Sequence, residues 1–346
     1  MNDIGFPKRM WLRRSIEGTV EKGTISAQFV SNEQDAVHYN RIESEILITK
    51  GEGNNDIIKW NHSQMKTWHP VYEENPSALF LVGYGANRTV ELPENFKPSE
   101  RKSGPKDRQI KIQSLFEETY QLIPLNAWLP DMRENNRGRY VQFINLLSKI
   151  TGDQNFKITE ELDGDQFIFE KDGVRIPFDA LSDGYRAFVG WVGDLLYHIE
   201  KSAPSGKKLV DNEGIVLIDE IDLHLHPAWQ MKILPLLANA LPNIQFIVTT
   251  HSPLIVGSVE WQNIIYLKHN KEGWTVPSRE KRNTYGLDSD QILVSKLFGL
   301  ETTRNNETAN RLRSLSLSAA SGNSEARREL MEILTKGSAE SSGLKT

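Results

Sequence analysis

Hydrophobic and polar positions fall into blocks along this chain, and the sharpest blocks lie between Gly214 and Pro253. Ile215–Val216–Leu217–Ile218 is short, partly β-branched and unbroken by polar residues, the pattern of a strand covered on both faces. Asp219 and Glu220 follow at once. Apolar residues at helical spacing then run from about Ala228 to Leu241. Pro227 suits the first helical position, and Pro235 predicts a kink inside. Ile244–Val248 is a second apolar strand and ends in Thr249–Thr250–His251–Ser252. The block reads as strand, helix, strand, with polar residues at the carboxyl end of each strand. In a parallel α/β sheet that edge is where ligands bind.

Patterns elsewhere are softer. Thr24–Val30, Glu45–Thr49 and Ile57–Trp60 have strand character, with a turn at Gly51–Asn55. Ala78–Val82 reads as another buried strand that runs into Gly83–Tyr84–Gly85–Ala86–Asn87–Arg88, where glycines permit a sharp turn. Helical spacing recurs over Ser114–Leu122 and Arg139–Ile150. Tyr140, Phe143, Leu147 and Ile150 share a face of the latter, and Gly152 can end it. Phe167–Phe169 and Val174–Ile176 flank Lys171–Asp172–Gly173, a hairpin signal. A helix through His198 starts behind Ser182, a suitable N-cap. Ile264–Leu267 with Trp274–Val276 predicts a second hairpin. Helices are expected at Ser289–Phe298, capped by Asp288, and over Glu307–Thr335 with an interruption near Ser318–Gly322. The Ser/Gly-rich end reads as a disordered tail.

Composition narrows the classes. The chain has 346 residues, 38% of them hydrophobic, enough for one large or two modest domains. A net charge of -5 argues against a protein that coats nucleic acid. The basic stretch Arg101, Lys102, Lys106, Arg108 and Lys111 reads as a solvated loop, with phosphate-backbone contact as the sharper alternative. Absence of cysteine excludes disulfides, thiolate zinc sites and a cysteine nucleophile. There is no apolar signal core at the N-terminus and no apolar run of membrane length, so a cytoplasmic protein without membrane contact is expected.

The candidate chemistry is phosphoryl transfer, whose catalysis is positioning plus charge neutralisation. Asp219 would hold Mg²⁺ through water, Glu220 would take a proton from attacking water, and His251 would reach the γ-phosphate. Ser182 and Gly184, at the start of a helix, would bind an anion through exposed amides. Arg88 would face phosphate or an inter-lobe carboxylate. His224 and His226 raise another reading, a metal hydrolase built on Glu220, His224, His226 and His251. No GxxxxGK[ST] phosphate loop occurs anywhere in the chain.

GIVLIDEIDLHLHP, FIVTTHSP, LSDGYR, GYGANR and LETTR together resemble the ABC-type ATPase heads of the SMC, RecF and OLD-like group, with phage-defence ATPases of bacteria the most similar. The resemblance extends from about residue 79 to 315. It implies an α/β, ABC-ATPase-like (P-loop NTPase-type) mixed sheet flanked by helices, with an antiparallel β segment and an inserted helical lobe. The implied segments are a β-rich first lobe (1–91), a helical lobe (92–165), the signature, Walker-B and His-switch core (166–276), a helical extension (277–336) and the tail (337–346). LSDGYR resembles the signature LSGGQ, with Asp183 replacing its first glycine and Tyr185 its glutamine. In the resembled heads the signature meets ATP held by the opposite subunit, which implies ATP and Mg²⁺ as cofactors and a homodimer or higher oligomer. Asp222 is then a dimer-contact residue. HLHP occurs in the same family and implies a structural or dimer-interface role for both histidines. No acidic cluster of a Toprim nuclease follows, so cutting would need a separate effector. The P-loop of these heads lies ahead of the β-rich segment. The expectation is that this piece is missing here or supplied by another polypeptide; the alternative is a nucleotide-regulated scaffold without turnover.

Overall fold

The computed structural model describes residues 14–15, 18–19, 22–31, 41–51, 56–60, 79–90, 110–153, 155–164, 166–204, 206–271, 274–281 and 283–341. Most of the Gly51–Asn55 turn, the basic residues Arg101, Lys102, Lys106 and Arg108, and residues 342–346 of the expected tail lie outside them. Two compact units divide the chain, residues 1–255 and 256–346.

In the first unit, β1 (Lys22–Val30), β2 (Arg41–Lys50) and β3 (Asp56–Trp60) form an antiparallel sheet in that order. β4 (Leu81–Tyr84) starts slightly later than its pattern suggested. It pairs in parallel with β8 (Gly214–Ile218), which pairs in parallel with β9 (Ile244–Val248). The order β9-β8-β4 puts Ile218 beside both Tyr84 and Val248, so the three strands end level. This is the mixed α/β architecture expected: a parallel sheet with helices, and separate antiparallel segments.

Helices α1 (Leu129–Asn135), α2 (Arg137–Thr151) and α3 (Asp183–Ser202) supply much of the core. The predicted face of α2 is buried, and Gly152 ends it at φ +60, a left-handed cap that suits glycine. β5 (Phe156–Asp163), β6 (Gln166–Lys171) and β7 (Val174–Pro177) form a second antiparallel sheet. Lys171 pairs with Val174 across Asp172 and Gly173, both at positive φ, as a two-residue hairpin requires.

Other expectations change here. The helix read over Ser114–Leu122 is instead one turn at 110–113, and the residues after it form turns, closed by a bridge from Leu122 to Val90. Lys111, read as part of a solvated loop, is buried, and its Nζ donates to Ser202 Oγ at 3.0 Å. The kinked helix after Pro227 is two helices, α4 (Pro227–Gln230) and α5 (Ile233–Ala240). Pro235 falls in the first turn of α5, where its missing N–H leaves no helical hydrogen bond broken.

A one-turn helix, α6, spans Pro253–Val256. The second unit holds a hairpin of β10 (Tyr266–His269) and β11 (Thr275–Ser278). α7 (Ser289–Leu293) is shorter than its pattern; Gln291 closes a capping box by accepting from Asp288 N at 3.2 Å. α8 (Asn306–Ala320) packs along α9 (Ser324–Ser341), with Arg311 paired to Glu329. α9 continues into the stretch read as a tail. No described helix is long and apolar enough to cross a membrane.

Candidate functional site

The site forms where the ladder of β8 stops. Asp219 N still donates to Tyr84 O at 2.8 Å, and then the chain leaves the sheet. Glu220 and His224 both take left-handed backbone conformations, at φ +48 and +65. For residues with a Cβ this costs roughly 1–3 kcal/mol each, so the surroundings must hold it.

Two side chains do so. Arg88 lies beneath the loop, 5% exposed. Its Nη1 donates to Gly85 O (3.1 Å) and Asp219 O (2.8 Å), and its Nη2 to Glu220 O (3.0 Å) and Leu223 O (3.3 Å). Burial lowers the Arg88 pKa, while the charges of Asp222, Asp219 and Glu220 act in the opposite sense. From the other side, Thr249 at the end of β9 reaches both acids. Its hydroxyl donates to Asp219 Oδ1 at 2.5 Å and accepts from Glu220 N at 2.8 Å. The Thr249 backbone continues the ladder, accepting from Ile221 N at 3.0 Å.

Asp222 is held in the same way one residue further on, by the hydroxyl of Thr250. His251 follows with an exposed side chain. Thus Asp219, Glu220 and Asp222 lie on one loop, Arg88 braces it from the turn after β4, and the turn after β9 brings His251 to the same end of the sheet. Sequence reasoning passed over Thr249, Thr250 and Gln230. The two threonines were visible as polar residues ending an apolar run; Gln230 gave no signal.

Ser182 occupies the N-cap position of α3, yet its side chain makes no capping hydrogen bond. It lines a cleft of about 600 Å³ with Gly184, Tyr185, His226, Trp229 and Lys232. A Cβ on Gly184 would stand 3.1 Å from His224 O, so the start of α3 packs closely on the loop that follows Asp219. His226 caps α4, its Nδ1 accepting from Ala228 N at 3.3 Å. Among the described residues, no three His, Asp or Glu side chains gather as metal ligands.

Behind the sheet lies a buried polar cluster. Asp194 on α3 accepts from Tyr84 Oη and from Ile123 N, both at 2.8 Å, and stands 3.4 Å from His198 Nε2. Burial pushes the Asp194 carboxyl up, but His198, the Ile123 amide and the Tyr84 hydroxyl outweigh it and hold the pKa below the usual value. Burial, and then Asp194, push the Tyr84 phenol well up.

Known proteins share parts of this chain. Septu protein PtuA from Bacillus mycoides (strain KBAB4) is 31% identical over 228 residues, 65% of this chain and 30% of that protein. The Retron Ec83 probable ATPase from Escherichia coli is 42% identical over 105 residues, 30% of this chain and 19% of the relative. The chain therefore spans about a fifth to a third of these relatives' length. A solved SMC head domain from Thermotoga maritima aligns at 14% identity and a TM-score of 0.41, over 77% of this chain and 76% of that one. Residues 39–257 match the family described as "AAA domain, putative AbiEii toxin, Type IV TA system", and the chain belongs to that family of AAA domains.

Proposed function

We propose that this chain carries the acid, signature and switch side of a nucleotide site, closes on ATP and Mg²⁺ with a second copy, and so gates a partner effector. The observation that supports this most directly is Thr249, whose one hydroxyl bridges Asp219 and the backbone of Glu220 at the carboxyl end of parallel strands. Asp219 is exposed and has only Oδ1 engaged by Thr249, which suits a hydrated cation held by one carboxylate. Bound there, Mg²⁺ would neutralise phosphate charge. Glu220 orients water and takes its proton. His251 reads the γ-phosphate. Ser182 and Gly184 begin a helix of 20 residues without a side-chain cap, so its amides remain available to a phosphate held by the second copy. Asp222 contacts that copy. Arg88 acts from beneath as the brace of the loop, through the carbonyls it holds. The Septu and retron relatives support a role in phage defence, and we take the gated effector to be a separate protein such as a nuclease.

A scaffold that binds nucleotide without turnover is the second reading, favoured by the lack of a GxxxxGK[ST] motif. The metal-hydrolase reading is set aside, because His226 Nδ1 serves its own helix and the required ligands do not gather.

Titration calorimetry of the 346-residue chain with ATP and Mg²⁺, alongside Glu220→Gln, tests the proposal. The expected result is micromolar binding, with slower turnover and more dimer in Glu220→Gln. Unchanged turnover would remove Glu220 as the base. Binding without turnover in either protein would favour the scaffold, and no binding at all would overturn the proposal that this chain closes on ATP.

A further inference from the structure

Gln230, in α4, uses both ends of its amide. Its Nε2 donates to Leu225 O at 2.9 Å and more weakly to Asp222 O at 3.4 Å, while its Oε1 accepts from Ser252 Oγ at 2.7 Å. Two carbonyls on one side fix which end of the amide is nitrogen. Ser252 is buried, and its own N–H donates to Thr250 Oγ1 at 3.0 Å. Thr250 Oγ1 donates in turn to the Asp222 carboxylate. The bonds close a ring: Asp222 carboxylate, Thr250, Ser252, Gln230, Asp222 carbonyl. His251 sits on this ring between Thr250 and Ser252, so its exposed ring projects from backbone pinned on both sides.

We infer that Gln230 is a positioning residue that locks the turn carrying His251 to the loop carrying Asp222, so that a displacement of either loop moves the other. The geometry selects glutamine. Glutamate has no proton for Leu225 O and would set a carboxylate against two carbonyls. Asparagine is one methylene short. Methionine fills the space but makes none of the bonds. The lock itself needs no nucleotide; its use as a link between a second copy and the γ-phosphate switch rests on the function proposed above.

The test is histidine-selective ¹³C NMR of the full chain, which has eight histidines, with His251 assigned through His251→Gln. Gln230→Met should shift and broaden the His251 resonances, while those of His269 stay put. Thr250→Val breaks the ring at its other side and should reproduce the change. The double variant should add little beyond either single one, as members of one network do. Superimposable His251 spectra in wild type and Gln230→Met would overturn the lock. If that variant does not fold, Thr250→Val carries the same test with the same failing result. Adding ATP and Mg²⁺ separates the two proposals. A His251 that responds to Gln230→Met but not to nucleotide keeps the lock and counts against the switch.

Discussion

Two three-stranded sheets of the first unit make an instructive pair. In the antiparallel sheet, burial is partial: Ile42 and Ile48 of β2 are covered, while Ile25 and Val30 of β1 stand 51% and 75% exposed. In the parallel sheet, Val82, Tyr84, Val216 and Ile218 of β4 and β8 are buried, and exposure is confined to the edge strand β9, where Ile247 is 51% exposed. The chemistry collects only at the second. The reason lies in the backbone. An antiparallel strand can return through a turn that continues its own ladder, whereas a parallel strand leaves the sheet, and the groups just past its end must find other partners. After β8 those partners are the side chains of Arg88, Thr249 and Gln230, and they hold the loop in a conformation it would not adopt alone.

The largest effect should come from taking away the main partner. Arg88→Ala removes a donor from four carbonyls, of which Glu220 O keeps the Leu223 N–H, and frees the strained backbone of Glu220. A loss of about 3–5 kcal/mol is expected in urea unfolding, since hydrogen bonds to a charged group are among the stronger ones. Arg88→Lys should recover little, because one ammonium cannot reproduce a planar fork.

Next comes the cluster behind the same sheet. The Asp194 carboxyl titrates below its ordinary value in the folded protein. Its contribution is therefore complete above the unfolded value of about 3.8 and is lost as pH falls through the lower folded value. Asp194→Asn should cost about 2–3 kcal/mol at neutral pH. It should also flatten the acid limb of stability below pH of about 4, read by denaturant titration across pH.

Much of this contrast was legible beforehand. The apolar runs before Asp219 and Thr249 identified strands with polar ends. The first carries the buried Val216 and Ile218, whereas the second alternates, with Gln245 and Ile247 exposed. The residues that brace the site were not legible. Arg88 reads in sequence as a cation for phosphate or a carboxylate, and only the arrival of Asp219, Glu220 and Leu223 from a distant part of the chain gives it carbonyls to hold. Lys111 misled for the same reason, since its partner Ser202 is far along the chain. Pro235 was read as a kink because periodicity continues through the break at Met231–Lys232.

Thr249→Val sharpens the comparison at lower cost. Valine keeps the shape and the strand preference but removes the hydroxyl shared by Asp219 and Glu220. A loss of about 1–2 kcal/mol is expected. Thr249→Ser should retain most of the stability, and with it any nucleotide response measured for the wild-type chain.

The smallest effect should fall in the other sheet. Ile25 lies opposite Ile46 in the antiparallel register and is half exposed. Ile25→Thr keeps a β-branched side chain and leaves every ladder hydrogen bond in place, so only modest apolar contact is lost. Thermal and urea unfolding should change by no more than about 0.5 kcal/mol. A loss as large as that of Thr249→Val would mean that the exposed face of β1 is covered in solution. The contrast between the two sheets would then come from a missing neighbour, and not from how their strands end.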